Sequence, residues 1–139
     1  MNEFWEKRRV LVTGGAGFVG RHLVRRLKAL GAETTVVRRR DYDLTRENDV
    51  KRCLRDNPCA MVLHLAAKVG GIGANRANPG SFFYDNLMMG ALLMEHSRRM
   101  GIEKFVQLGT ICAYPRMTPV PFKERDLWSG YPEETNAPY

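Results

Sequence analysis

Apolar residues in this chain fall into short runs separated by longer stretches with a helical period. The runs centre on Val10-Leu11-Val12, Val36-Val37, Met61-Val62-Leu63 and Phe105-Val106. Each is Val-, Leu- or Phe-rich and too brief for a helix, as buried parallel strands are. They predict strands over residues 9–13, 34–37, 60–65 and 104–108. In the first intervening stretch Val19, Leu23, Leu27 and Leu30 share one helical face, Arg21, Arg25 and Lys28 the other, and Gly31 stands at the end. A second helix is expected with Thr45 as its N-cap; it carries Val50, Cys53 and Leu54 and stops at Asn57-Pro58. The third runs from about Pro79 to Met100, with Gly101 just beyond it. Strands and helices alternate without repeats or low-complexity linkers. The expected fold is therefore α/β, a doubly wound parallel sheet of about four strands with three helices and right-handed crossovers.

The pattern changes at residue 114. Pro115, Pro119, Pro121, Pro132 and Pro138 exclude a long helix and predict an irregular loop. A loop of this length is usually functional, and it leaves the carboxyl end of the fourth strand, where open parallel sheets bind ligands. The expected organisation is a nucleotide-binding domain over residues 1–113 and an active-site loop over 114–139.

Composition narrows the class. At 139 residues and 44% apolar content the chain has the size of one domain and enough material for a core, with no run long enough to span a membrane. Charges within Met1–Arg9 occupy the place where a secretory leader needs an apolar stretch, so a cytoplasmic protein is expected. Cys53, Cys59 and Cys112 have neither disulfide-framework nor zinc spacing, and His22, His64 and His96 lack metal-ligand spacing. Reduced thiols and no metal follow. The formal charge of +7 comes with few aromatics, none interleaved with the basic residues, which argues against nucleic acid and for an anionic small molecule.

The chemistry is concentrated after the first strand, in Thr13-Gly14-Gly15-Ala16-Gly17-Phe18-Val19-Gly20. Strand, glycine turn and helix follow one another in the order that a dinucleotide pyrophosphate site requires. Gly14 lets the chain reverse, Gly17 leaves room for phosphates, and Gly20 lets the helix pack closely, while helix N–H groups face the anion. The second strand runs into Arg38-Arg39-Arg40, where an acidic residue would favour NAD. Arginine there suits the extra phosphate of NADP. Arg38 and Arg40 share a face if the strand continues.

Further motifs narrow the reading. His64-Leu65-Ala66-Ala67-Lys68-Val69-Gly70-Gly71-Ile72, Leu108-Gly109-Thr110-Ile111-Cys112-Ala113-Tyr114-Pro115 and Glu134-Thr135-Asn136-Ala137-Pro138-Tyr139 follow the glycine motif in order. Together they resemble the GDP-L-fucose synthases of the extended short-chain dehydrogenase/reductase family. That resemblance implies a Rossmann-type fold, NADP(H), and conversion of GDP-4-keto-6-deoxy-mannose to GDP-L-fucose by epimerisation and reduction. It implies that Tyr139 protonates the sugar oxygen, that the Thr110 hydroxyl hydrogen-bonds that oxygen, and that Cys112 moves protons during epimerisation. By the same resemblance Asp43 accepts from the adenine amino group beside Leu44, and Leu65, Ala66, Ala67, Leu108 and Gly109 line the cofactor. Asn86 matches an asparagine that organises the active site, and Lys68 is a candidate for a phosphate or the substrate. Phe82, Phe83, Leu87 and Met88 belong to core or to a dimer surface, since the family forms homodimers. The family's lysine four residues after its tyrosine, its catalytic histidine and its substrate domain have no counterpart up to residue 139. A truncated sheet, binding of cofactor and no turnover by these residues alone are the corresponding expectations. Alternatives are another NAD(P)-dependent nucleotide-sugar epimerase or dehydratase, and a non-catalytic nucleotide-binding fragment.

Overall fold

A computed structural model describes residues 3–137. Strands β1 (Arg9–Thr13), β2 (Glu33–Val37), β3 (Met61–His64) and β4 (Lys104–Gln107) pair in parallel in the order β2-β1-β3-β4. The helices are α1 (Phe18–Ala29), α2 (Glu47–Asp56), α3 (Ile72–Ala77) and α4 (Pro79–Arg99). The doubly wound α/β arrangement is the expected one, with one helix added. That addition, α3, buries no residue, so it has no apolar stripe from which a period can be read.

Alternation of side chains along the strands builds two cores. Leu11 and Val62 pack with Val37, Leu44, Val50, Cys53, Leu54 and Leu93, and Phe105 of β4 joins this face. Val10, Val12, Met61 and Leu63 pack with Leu27 and Ala32 on the other. Two helices, α2 and α4, thus cover one face of the sheet and α1 covers the other. Coverage on both faces is why β1 and β3 are apolar at consecutive positions. On α1 the packing stripe is Gly20, Leu23, Val24 and Leu27. Val19, expected on that stripe, is instead 52% exposed, and Val24 takes its place.

Helix ends follow local chemistry. After α1, the Ala32 N–H donates to the Leu27 carbonyl and the Gly31 N–H to that of Lys28. After α4, Ile102 and Gly101 donate to Ser97 and Arg98 in the same way. Both are Schellman closures, which satisfy carbonyls that the helix leaves without partners. The start of α2 differs from expectation. Its N-cap is Arg46, not Thr45, and no side chain caps it. Thr45 is engaged one turn earlier, its N–H and Oγ1–H both donating to Asp43 Oδ1 at 3.1 and 2.7 Å. Thr45 is thus held in an Asx-type turn before the helix begins.

The chain divides into two compact units. One gathers the residues up to Ala67 with Leu87–Leu108 and contains the whole sheet. The other gathers Lys68–Asn86 with the residues from Gly109 onward, and it includes 3₁₀ turns at Ile111–Ala113 and Glu124–Trp128. No helix among the described residues is long and apolar enough to cross a membrane.

Candidate nucleotide-binding site

In the sheet unit, β1 ends in a turn with no room for side chains at its key points. Gly14 has φ of +67°, and a Cβ there would come within 2.7 Å of the Ala66 nitrogen and the Leu65 carbonyl carbon. Backbone on backbone leaves glycine as the residue that fits. A Cβ on Gly20 would collide with the Gly14 carbonyl oxygen, so α1 sits directly on the turn. At Gly15 the neighbours would be the Val36 methyls, at 2.8 and 2.9 Å. A Cβ on Gly17 has only the Gly14 carbonyl nearby, at 3.2 Å, and otherwise open space. Gly17 is the N-cap of α1, no side chain caps that end, and its first turn holds no acidic residue. The free N–H groups and the positive end of the helix dipole therefore face outward, where an anion is stabilised. Ala16, Phe18 and Val19 are exposed beside them.

A buried pair lies beneath the turn. Thr13 and His64, partners in the β1–β3 register, are 0% and 2% exposed, with Oγ1 and Nδ1 2.6 Å apart. Burial pushes the His64 pKa down to about 4, so the ring is neutral and Nδ1 can accept the Thr13 hydroxyl proton. The same hydroxyl oxygen accepts the Ala66 N–H at 3.1 Å, and the Thr13 carbonyl accepts the Leu65 N–H at 3.2 Å. The ends of β1 and β3 are thereby locked side by side. Leu65 and Ala66 are half-buried and Ala67 exposed, while the exposed Leu108 donates its N–H to the His64 carbonyl.

At the end of β2 the strand does not continue. It stops at Val37, and the Asp41 and Tyr42 N–H groups both donate to the Arg38 carbonyl, closing a turn. Without a continuing strand, Arg38 and Arg40 are not placed on one face by strand alternation, contrary to expectation. Arg38, Arg39 and Arg40 are all exposed, Arg40 Nε standing 3.6 Å from Asp41 Oδ1. The hydrogen bonds from Thr45 hold the Asp43 carboxyl below the usual range. Its Oδ2 lies 3.7 Å from Arg46 Nε. The Leu44 side chain is 7% exposed and belongs to the core, which leaves its backbone for a ligand.

The second unit holds the remaining candidates. The Thr110 oxygen accepts the Cys112 N–H at 3.2 Å, capping the 3₁₀ turn and leaving the O–H to donate. Thr110 and Cys112 are half-buried and Gly109 exposed. Asn86 grips the peptide of Lys68, accepting from its N–H at 2.8 Å and donating to its carbonyl at 2.9 Å. Lys68 Nζ pairs with Asp85 at 2.7 Å and lies 5.3 Å from the Phe82 ring centre. Tyr139 lies outside the described residues. The Thr13–His64 pair, whose members stand 51 positions apart, carries no signal in the sequence.

A parallel sheet in the order β2-β1-β3-β4, with a glycine turn and an open helix N-terminus after its central strand β1, defines a Rossmann-type domain. The profile of the NAD dependent epimerase/dehydratase family matches residues 10–139. The chain belongs to that family. A GDP-L-fucose synthase of Sinorhizobium fredii is 41% identical over 133 residues, covering 95% of this chain and 42% of the relative. A GDP-L-fucose synthetase from Naegleria fowleri bound to NADP superposes with a TM-score of 0.84 at 26% identity, over 96% of this chain and 40% of that one. The Thermus thermophilus UDP-glucose 4-epimerase in complex with NAD gives 0.77 at 32% identity, over 93% and 46%. The chain thus spans about two fifths of the length of the curated relatives it matches.

Proposed function

We propose that this chain is the NADP-binding part of a GDP-L-fucose synthase-type enzyme, which epimerises and reduces GDP-4-keto-6-deoxy-mannose. One observation carries the reading: an uncapped helix N-terminus behind a glycine turn, with three consecutive arginines after the neighbouring strand β2. The first suits a pyrophosphate and the second a further phosphate on the adenosine ribose. The name of the Sinorhizobium relative and the NADP in the Naegleria structure support it.

On this reading the turn from Gly14 to Gly20 takes the pyrophosphate, Arg38 and Arg40 the ribose phosphate, and Asp43 the adenine amino group. Leu65, Ala66, Ala67, Leu108 and Gly109 line the rest of the cofactor. NADPH, when bound, supplies the hydride. The Thr110 hydroxyl donates to the sugar oxygen and Tyr139 gives that oxygen its proton. Cys112 exchanges the proton on a carbon beside the ketone, which the carbonyl acidifies. The active-site loop is residues 114–139. The reading also makes the enzyme an isomerase as well as an oxidoreductase, sets it in the cytoplasm, and gives it a homodimer through α4, where Phe83, Tyr84, Leu87 and Met94 are each more than half exposed.

Calorimetric titration with NADP+ and NAD+ tests the cofactor. NADP+ is expected to bind at least about tenfold tighter, a difference of about 1.4 kcal/mol, and an Arg38→Ala/Arg40→Ala variant to lose that preference. Equal affinities for the unaltered chain overturn the reading in favour of an NAD-dependent nucleotide-sugar epimerase or dehydratase. The NAD in the Thermus thermophilus structure is the observation that supports this second reading.

A further inference from the structure

The turn that carries the arginine triplet is built from α2. Arg52, in the middle of that helix, donates from Nη2 to the Asp41 carbonyl at 2.8 Å and to Asp49 Oδ1 at 2.8 Å. Its guanidinium lies over the Tyr42 ring, 4.7 Å from the centre. Asp49 passes the restraint on, its Oδ2 accepting the Asp43 N–H at 3.1 Å. The Tyr42 hydroxyl in turn donates to Asp56 Oδ2 at 3.1 Å. Asp41, Tyr42 and Asp43 are therefore each tied to α2, two of them directly by Arg52.

An ordinary surface arginine three residues after an aspartate needs only that carboxylate. Here a single nitrogen, Nη2, satisfies a carboxylate and a backbone carbonyl while the flat face of the same guanidinium covers an aromatic ring, and an ammonium group has no such face. The restraint matters because Arg38, Arg39 and Arg40 crowd three like charges into one exposed turn, and repulsion favours spreading them. A turn already closed when the ligand arrives loses less conformational freedom on binding.

We propose that Arg52 is a positioning residue for nucleotide selectivity: it holds the turn of residues 38–43 so that its arginines converge on a ribose 2′-phosphate. The proposal rests on the NADP reading above. Arg52 acts through the turn, and its loss weakens the phosphorylated nucleotide more than the unphosphorylated one.

The test compares the unaltered chain with Arg52→Met, which keeps an unbranched stem, and Arg52→Lys, which keeps the charge. Affinities for NADP+ and NAD+ are measured by calorimetry, and amide hydrogen exchange of Tyr42 and Asp43 is followed without nucleotide. In both variants NADP+ affinity is expected to fall about tenfold and NAD+ affinity less than about twofold, with exchange at these two amides faster. Equal losses for the two nucleotides, or unchanged exchange, overturn the proposal while leaving the cofactor reading intact. If the unaltered chain has no preference for NADP+, the cofactor reading falls and the selectivity role with it.

Discussion

His64 is the residue whose ionisation most directly reports on the fold. An exposed imidazole titrates near pH 6.5, whereas burial pushes this one down to about 4. Between those values the unfolded chain takes up a proton that the folded chain refuses. The stability held by the neutral ring is complete above about pH 6.5 and is lost as the pH falls toward 4, with a slope approaching about 1.4 kcal/mol per pH unit. Thermal melts between pH 7 and 5 should show a falling Tm, and His64→Gln should flatten that dependence. An unchanged slope in the variant would remove His64 as its source. The chemistry of this position was not legible from the sequence, because a histidine after an apolar run gives no sign of its partner. Thr13 becomes that partner only through the parallel register of β1 and β3.

Among the elements, the C-terminal ends of the helices were the most legible and the loop after β2 the least. Glycine after the last periodic residue marks a left-handed closing residue, and Gly101 is one, with φ of +69°. A Cβ there meets nothing within 4 Å, so Gly101→Ala tests backbone conformation alone. The expected loss is about 1–2 kcal/mol in urea unfolding, without change in nucleotide affinity. A neutral substitution would mean that the end of α4 rearranges at no cost. At the start of α2, Thr45 is a good cap by residue type, yet its N–H and hydroxyl are turned toward Asp43 Oδ1 in the preceding turn and Arg46 occupies the cap position. Arg38 and Arg40 were paired on a strand alternation that ends at Val37. Short polar side chains and charged turns have many local partners of similar energy, and the choice among them falls to surrounding contacts.

At the scale of the whole molecule, unequal coverage of the sheet has a consequence for association. Val106 of β4 pairs with Leu63, on the face that α1 covers over β1 and β3, yet it is 41% exposed. β4 is also an edge strand of the four-stranded sheet. An open edge with exposed apolar residues favours pairing with other chains. These 139 residues by themselves are therefore expected to self-associate, and Val106→Lys to shift sedimentation toward the monomer. A monodisperse monomer that unfolds cooperatively without the substitution would contradict this.

The alternation of strands and helices, the glycine turn after β1 and the covered character of β1 and β3 are all written in the order of residues along the chain. Each follows from local period or from a backbone conformation that one residue type permits. That Thr13 meets His64, that Val24 replaces Val19 on the packing face of α1, and that Arg52 braces the turn after β2 emerge from the packing of the elements. Those contacts depend on register and on the seating of one element against another, which residues distant in the chain settle together.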